Sequence, residues 1–290
     1  MIDRHAAAQF IATHARLIDR CRFAHLEGEG SAEAVARALA AYRNDDGGLG
    51  QLEPDLRTPA SQPACVLYAL DILHEIGERD SPLAGGALDW LEGVSNDDGG
   101  VPFVLPTAAG WPHAPWFQPE EARGSSLLIT AGIASAAHRL GLAHRWLDRA
   151  TEYCWEHLDD ALSGAYTLRS AVDFLDSVPD RGRAGAALDG LAGRLPAGGV
   201  VPVSGGADGE ALRPLDLAPW PEHSARRLFD DAAIERELDG LAGEQRDDGG
   251  WTFSWRAWNP AVAWEWRGAV TVQAIRTLRA YGRLQPVSRP

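Results

Sequence analysis

Apolar residues recur at spacings of three and four along most of the chain. Such windows run over about residues 5–20, 31–43, 61–77, 80–94, 122–140, 143–159, 166–178, 181–195, 223–245 and 262–282. They are rich in Ala and Leu, and their period is that of a helix with a buried face. The window at 223–245 is expected to be broken. Boundary chemistry agrees with these ranges. Ser31 precedes Glu33 and Ala34, Ser61 precedes Pro63, and Ser81 precedes Pro82. Proline suits the first helical turn, where its missing N–H has no partner to lose. Gly77, Gly141 and Gly193 stand where helices should end. Period-two alternation is poor, and only residues 101–105 and 200–203 read as short strands.

The helices are of two kinds. Leu127-Leu128-Ile129-Thr130-Ala131-Gly132-Ile133-Ala134 is small and apolar nearly all round, which predicts burial on most faces. The pattern at residues 144–158 is amphipathic, as expected of a helix with one face in water.

Between the helices a phrase recurs. It reads Asn44-Asp45-Asp46-Gly47-Gly48-Leu49, then Asn96-Asp97-Asp98-Gly99-Gly100-Val101, then Arg246-Asp247-Asp248-Gly249-Gly250-Trp251. A degenerate copy begins at Ala197-Gly198-Gly199, and a weaker one at Asp160-Ala161-Leu162-Ser163-Gly164. The step is 52 residues from Gly47 to Gly99 and 51 from Gly198 to Gly249, room for two helices and a loop. Glycine supplies positive φ and aspartate caps the turn through its side chain. The expected architecture is all-α. It is an α/α toroid of about five to six helix pairs joined by Asp-Asp-Gly-Gly loops, in one domain spanning residues 1–290.

Composition narrows the function. The net charge of -14 repels phosphate backbones, so nucleic acid is not expected as a partner. No apolar run approaches the roughly 20 residues that span a bilayer. The first twenty residues lack a signal-peptide core, so a cytoplasmic location is expected. Cys21, Cys65 and Cys154 are few and far apart and read as buried free thiols. All 27 basic residues are arginine. A Schiff-base lysine and a P-loop lysine are thereby excluded.

Gln245-Arg246-Asp247-Asp248-Gly249-Gly250-Trp251 resembles the QW motif of squalene–hopene and oxidosqualene cyclases, whose helix-pair repeats also occur in protein prenyltransferase β subunits. The resemblance covers most of the chain loosely and about four loops tightly. It implies the α/α toroid, and it implies that Gln245 and Trp251 are scaffold residues tying an outer helix to the next loop. Residues 251–281 contain neither Cys nor His, so the zinc site of the prenyltransferases does not carry over, and neither metal nor cofactor is expected. The Asp-x-Asp-Asp acid of the class II cyclases and the Asp-Asp-x-x-Asp of class I synthases are also absent. Asp230-Asp231 with Glu235 reads as a helix start.

In such a toroid the long loops, about residues 44–60, 95–121, 196–222 and 246–262, would gather over the cavity mouth. With the start of the last helix they hold eight of the eleven tryptophans. Tryptophan faces stabilise cations and stack on flat ligands. Two loop strings carry candidate chemistry. Leu52-Glu53-Pro54-Asp55-Leu56-Arg57 sets two carboxylates and a guanidinium before an apolar helix. Gly110-Trp111-Pro112-His113-Ala114-Pro115-Trp116-Phe117 holds a lone histidine between aromatics. A carboxylic acid in a desolvated aromatic pocket can serve as a general acid, with a neighbouring histidine as relay.

The leading expectation is an enzyme of terpenoid-cyclase type. It would act on a hydrophobic, isoprenoid-type small molecule by acid-initiated carbocation chemistry. Asp55, Glu53 and His113 are its candidate catalytic residues. Arg57, Trp111, Trp116, Trp255, Trp258, Trp264, Glu265 and Asp173 are its candidate substrate contacts. Two alternatives stay open: a carbohydrate-active (α/α) barrel with paired carboxylates, and a non-catalytic binding toroid.

Overall fold

The computed structural model describes residues 2–119, 124–196 and 198–285. Residues 120–123, which hold the end of the second long loop and the start of a predicted helix, lie outside the described residues, as does Ala197. In chain order the helices are α1 (Arg4–His14), α2 (Leu17–Leu26), α3 (Ala32–Ala40), α4 (Pro63–Glu75), α5 (Pro82–Val94), α6 (Leu127–Leu140), α7 (Arg145–Glu156), α8 (Ala165–Ser177), α9 (Arg181–Ala192), α10 (Pro214–Leu217), α11 (Asp231–Gly243) and α12 (Pro260–Ala280). A two-stranded antiparallel ribbon pairs β1 (Val201–Pro202) with β2 (Ala211–Leu212). The all-helical class read from the sequence is the class observed. The chain forms two compact units, residues 39–187 and residues 1–38 with 188–290.

In the first unit α6 packs on α4 and α8, and α7 packs on α5 and α6. Of α6, Leu127, Ile129 through Ala137 and Leu140 are all buried. Gly132 lets α4 approach, since a side chain there would lie 3.0 Å from Leu67. The amphipathic α7 buries Trp146, Leu147, Ala150, Tyr153 and Cys154. Gly141 ends α6 in the left-handed conformation (φ 71), as the sequence suggests. Burial pushes the Cys154 thiol up, out of the reactive range.

The second unit gathers α1, α2 and α11 on the long α12. The sequence reading needs three corrections, one in this unit and two in the other. The window at 5–20 is two helices, because Ala15 and Arg16 are extended. The break is held by packing and a side-chain bond rather than by a glycine or proline. Ala15 is buried where a side chain on Gly268 would come within 2.9 Å of its Cβ, and Arg20 Nε donates to the Ala15 carbonyl. Residues 101–105 form a single bridge, Pro102 to Ser125, instead of a strand. In the 39–187 unit, the weak repeat at residues 160–164 is a 3-10 turn running into α8, with Gly164 extended at φ -166. The expected break in 223–245 falls between a 3-10 turn (Ser224–Leu228) and α11, where Asp230 caps α11 by accepting from Ala233 N.

The three full Asp-Asp-Gly-Gly loops share one geometry. The first residue of each phrase (Asn44, Asn96, Arg246) donates its N–H to the carbonyl of the second glycine and accepts from the first. The second glycine's N–H is capped by the second aspartate, Asp46, Asp98 or Asp248, at 2.9–3.1 Å. The first glycine sits at φ 87 to 91 in every copy, a region other residues rarely enter.

Candidate functional site

The two strings singled out in the sequence lie side by side. Leu56 and His113 form an antiparallel bridge; Arg57 N–H donates to Pro112 O at 3.0 Å and Ala114 N–H donates to Asp55 O at 2.9 Å. Asp55 is 3% and Glu53 8% exposed. Asp55 N–H donates to Glu53 Oε1 at 3.2 Å, and Glu53 N–H faces Cys65 Sγ at 3.5 Å. The string is entered through Gln51, the one non-glycine residue with positive φ (58) among the described residues. Such strain persists only where surrounding contacts enforce it. His113 Nδ1 donates to Ala114 O at 3.0 Å, so in the neutral ring the lone pair lies on Nε2.

Three polar residues that the sequence reading passed over fasten this ladder. Gln62, fully buried, donates to Thr107 Oγ1 at 2.9 Å and accepts from Leu105 N–H at 2.8 Å. Thr58 Oγ1 donates to Thr107 O and accepts from Ala60 N–H. The available signal was Gln62 itself, a polar residue directly before the apolar start of α4.

The aromatics of the second string divide. Phe117 is buried and stacks on Phe103, with ring centroids 4.7 Å apart. Trp111 and Trp116 are 47% and 41% exposed. Asp173 lies on α8, 3.1 Å from Arg139 of α6, whose guanidinium also reaches Asp71 of α4 at 3.8 Å. It belongs to an ion cluster joining three helices.

Trp255, Trp258, Trp264 and Glu265 belong to the other unit. Trp255 stacks on Phe253 and meets Trp266 edge-on at 5.1 Å. Trp258 is half-buried and leads into α12. Trp264 stacks on His14 at 4.4 Å. Glu265 is half-buried, between two tryptophans on α12. Gln245 bonds both the main chain of Asp3 and the Gly249 carbonyl. Trp251, 1% exposed, donates from Nε1 to Leu241 O at 2.7 Å. Both act as ties of α11 and α1 to the loop.

A polar cleft of about 300 Å³ in the first unit is lined by Asp98, Ser125, Ser126, Tyr153, His157 and Asp160, with Leu127, Leu128, Ser163 and Thr167. Burial, with Asp98, Cys154 and Asp160 nearby, pushes the Tyr153 phenol up to about 12. No motif in the sequence marks this cleft. It emerges where the second loop meets the start of α6, the end of α7 and the start of α8.

The repeated helix pairs and their shared loops define a terpenoid-cyclase-like fold. Over 96% of its length the chain is similar to a crystal structure of a protein from Actinoplanes, at 20% identity and TM-score 0.56, covering 89% of that chain. It is equally similar in fold to a variant of the type II terpene cyclase MstE from Scytonema in complex with merosterolic acid A, its product (15% identity, TM-score 0.56, 86% of that chain). A second MstE variant, in complex with the substrate geranylgeranyl dihydroxybenzoate, gives 14% identity and TM-score 0.54 over 87% of that chain. No protein-family model and no curated protein matches the sequence. Among the described residues, no helix is long and apolar enough to cross a membrane.

Proposed function

We propose that the chain is a terpenoid-cyclase-like enzyme working as a single domain in the cytoplasm on a hydrophobic, isoprenoid-type substrate. The reaction is started by proton transfer from a carboxylic acid. The observation that carries this reading is the burial of Asp55 on a string whose backbone is fixed to His113. Protonating an alkene needs an acid shielded from water and held in one place. In this scheme Glu53, which accepts the Asp55 N–H, is the anion, and Asp55 is the acid. The Asp55 proton goes to an alkene carbon, the cation forms at the neighbouring carbon, and a later C–H loss to His113 Nε2 ends the reaction. His113 Nε2 returns the proton to Asp55. Tryptophan faces stabilise the intermediate charge, a role open to Trp111 and Trp116. Arg57 and Asp173 would set the polar margin of the substrate. The likeness in fold to cyclases that bind a prenylated substrate supports the reading.

The test is incubation of the purified protein with squalene, polyprenyl diphosphates and geranylgeranyl dihydroxybenzoate, each with EDTA, followed by mass spectrometry of the extracts. A cyclised or isomerised product is expected, with its rate reduced at least about 100-fold in Asp55→Asn. Conversion of no substrate, or wild-type conversion by Asp55→Asn, would remove the proposal.

A further inference from the structure

The loop at residues 246–251 and the loop at 96–101 are built on matching positions, and among the pairs that differ, Arg267 against Ser126 changes the site most. Trp251 N–H donates to Thr271 Oγ1, and Val101 N–H donates to Thr130 Oγ1, at 2.9 and 3.0 Å. Four residues before these threonines stand Arg267 and Ser126. The helix packed beneath each loop also matches. A side chain on Gly249 or Gly99 would strike the backbone of Ala6 or Arg149. One on Gly250 or Gly100 would strike the ring of Phe10 or Tyr153. Four residues further on, His14 faces Phe10 and His157 faces Tyr153, with centroids 5.2 and 4.1 Å apart.

In the 246–251 copy the space above these rings is filled. The Arg267 guanidinium binds both oxygens of Asp248 at 2.7 Å and lies 4.5 Å from the Phe10 centroid and 5.2 Å from that of Trp264. In the 96–101 copy Ser126 is too short to do this. There the cleft of about 300 Å³ opens, lined by the counterparts of the same groups, Asp98, Tyr153 and His157. The volume is at the lower end of ligand pockets, about 300–1,000 Å³.

We propose that this cleft binds a small guanidinium compound, its cation seated on the Asp98 carboxylate, whose Oδ1 also accepts from the Ser125 hydroxyl and Gly100 N–H. Among the described residues the lining holds two carboxylates, Asp98 and Asp160, and no arginine, which favours a cation. Among the described residues no group of three His, Cys, Asp or Glu is arranged to hold a metal ion, which favours an organic one. A planar guanidinium pairs with a carboxylate through two parallel bonds and stacks on an aromatic face, and the molecule's own filled copy shows both. Ser163 and Thr167 offer hydroxyl acceptors for the remaining N–H groups. None of these residues belongs to the ladder of Glu53, Asp55 and His113, so the site stands whatever that ladder does.

Titration calorimetry of the full chain with agmatine tests the proposal, with butylurea as a shorter, uncharged analogue. Agmatine is expected to bind saturably at one site and butylurea not at all. Ser126→Arg, which supplies the guanidinium from within, should weaken agmatine at least about 10-fold and raise the melting temperature. Asp160→Asn changes an exposed residue and should leave the fold intact while weakening agmatine a few-fold. The proposal is overturned if folded wild-type protein shows no saturable agmatine binding. It is equally overturned if butylurea competes, or if both variants bind agmatine as wild type does.

Discussion

The loop at 246–251 and the loops at 44–49 and 96–101 make the same turn and differ in what stands four residues before the helix position that faces the loop. In the 246–251 loop it is Arg267, whose Nε donates to Trp251 O. In the other two it is Gln62 or Ser126, whose backbone N–H donates to the matching carbonyl of Leu49 or Val101 at 2.9 Å. Serine hydroxyls then take up the second aspartate: Ser61 and Ser125 donate to Asp46 and Asp98 at 2.7 Å. The turn is therefore a constant, set by aspartate and glycine, and the neighbouring position is a variable. Glutamine there ties down a string, arginine closes the space, and serine leaves it open.

The constant part gives the largest expected effect. Gly249 lies at φ 90, and an added Cβ would sit 2.2 Å from the Ala6 carbonyl. Gly249→Ala should cost about 3 kcal/mol or more, from left-handed strain plus backbone overlap. Gly198, at φ 84 with open space around it, should cost only about 1–2 kcal/mol as alanine. Urea denaturation measures both. Equal costs would mean that the approach of the loop to α1 contributes nothing, and the likeness among copies would reduce to turn geometry.

The variable part comes next. Gln62→Leu keeps the volume but strands Leu105 N–H and the Thr107 hydroxyl, at a cost of about 2 kcal/mol. If the proposed acid depends on the ladder, the same variant lowers turnover of any cyclised substrate more than it lowers stability at the assay temperature. Unchanged turnover would detach Gln62 from the site. Arg267→Ser removes the guanidinium that fills the 246–251 copy. Asp248 is 41% exposed, so the lost ion pair is discounted, and the expected cost is about 1–2 kcal/mol including the stacking on Phe10. Agmatine should then bind at two sites per chain and restore part of the lost melting temperature. A variant that loses stability with no second site would show that the other differences between the copies, Phe10 against Tyr153 and Trp266 against Ser125, decide the binding.

Much of this was legible in the sequence, and the reason differs by feature. Helices such as α4, α5, α6 and α8 carry strong periodicity and local boundary signals, and they fall within a few residues of expectation. The turn phrase is local too, since Asp98 caps Gly100 two residues away. The break at Ala15 was hidden because Ala15 packs against Gly268, more than 250 residues later. The pairing of residues 52–57 with 110–117 was hidden for the same reason: neither string alternates, so nothing local marks a partner. Glu53, Asp55 and His113 were found as residue types suited to proton transfer, but their neighbours Gln62 and Thr107 act only through contacts about 45 residues apart. The cleft was invisible because it is made by a small residue, Ser126, where another copy has a large one.

Acid should separate the two units, with the smallest effects of the series. His138 on α6 faces Asp148 and Thr151 of α7. The Thr151 hydroxyl donates to Leu147 O, so it accepts from His138 Nε2–H at 2.8 Å. Burial holds the His138 pKa below 6.5, against a smaller opposing pull from Asp148. The unfolded chain then takes up this proton more readily than the native one. Stability from the neutral ring is present above pH 6.5 and is lost as pH falls through the lowered native value. In the other unit the Arg267 hydrogen bonds hold the Asp248 carboxyl below 3.8, helped by the Gly250 N–H. That contribution is intact above pH 3.8 and disappears only as pH falls through a still lower value. Amide exchange followed from pH 7 to pH 3 should therefore loosen α6 and α7 first and the 246–251 loop last. Arg267→Ser should abolish the late step and leave the early one. If the variant shifts the early step instead, His138 is not its source, and the two units do not titrate independently.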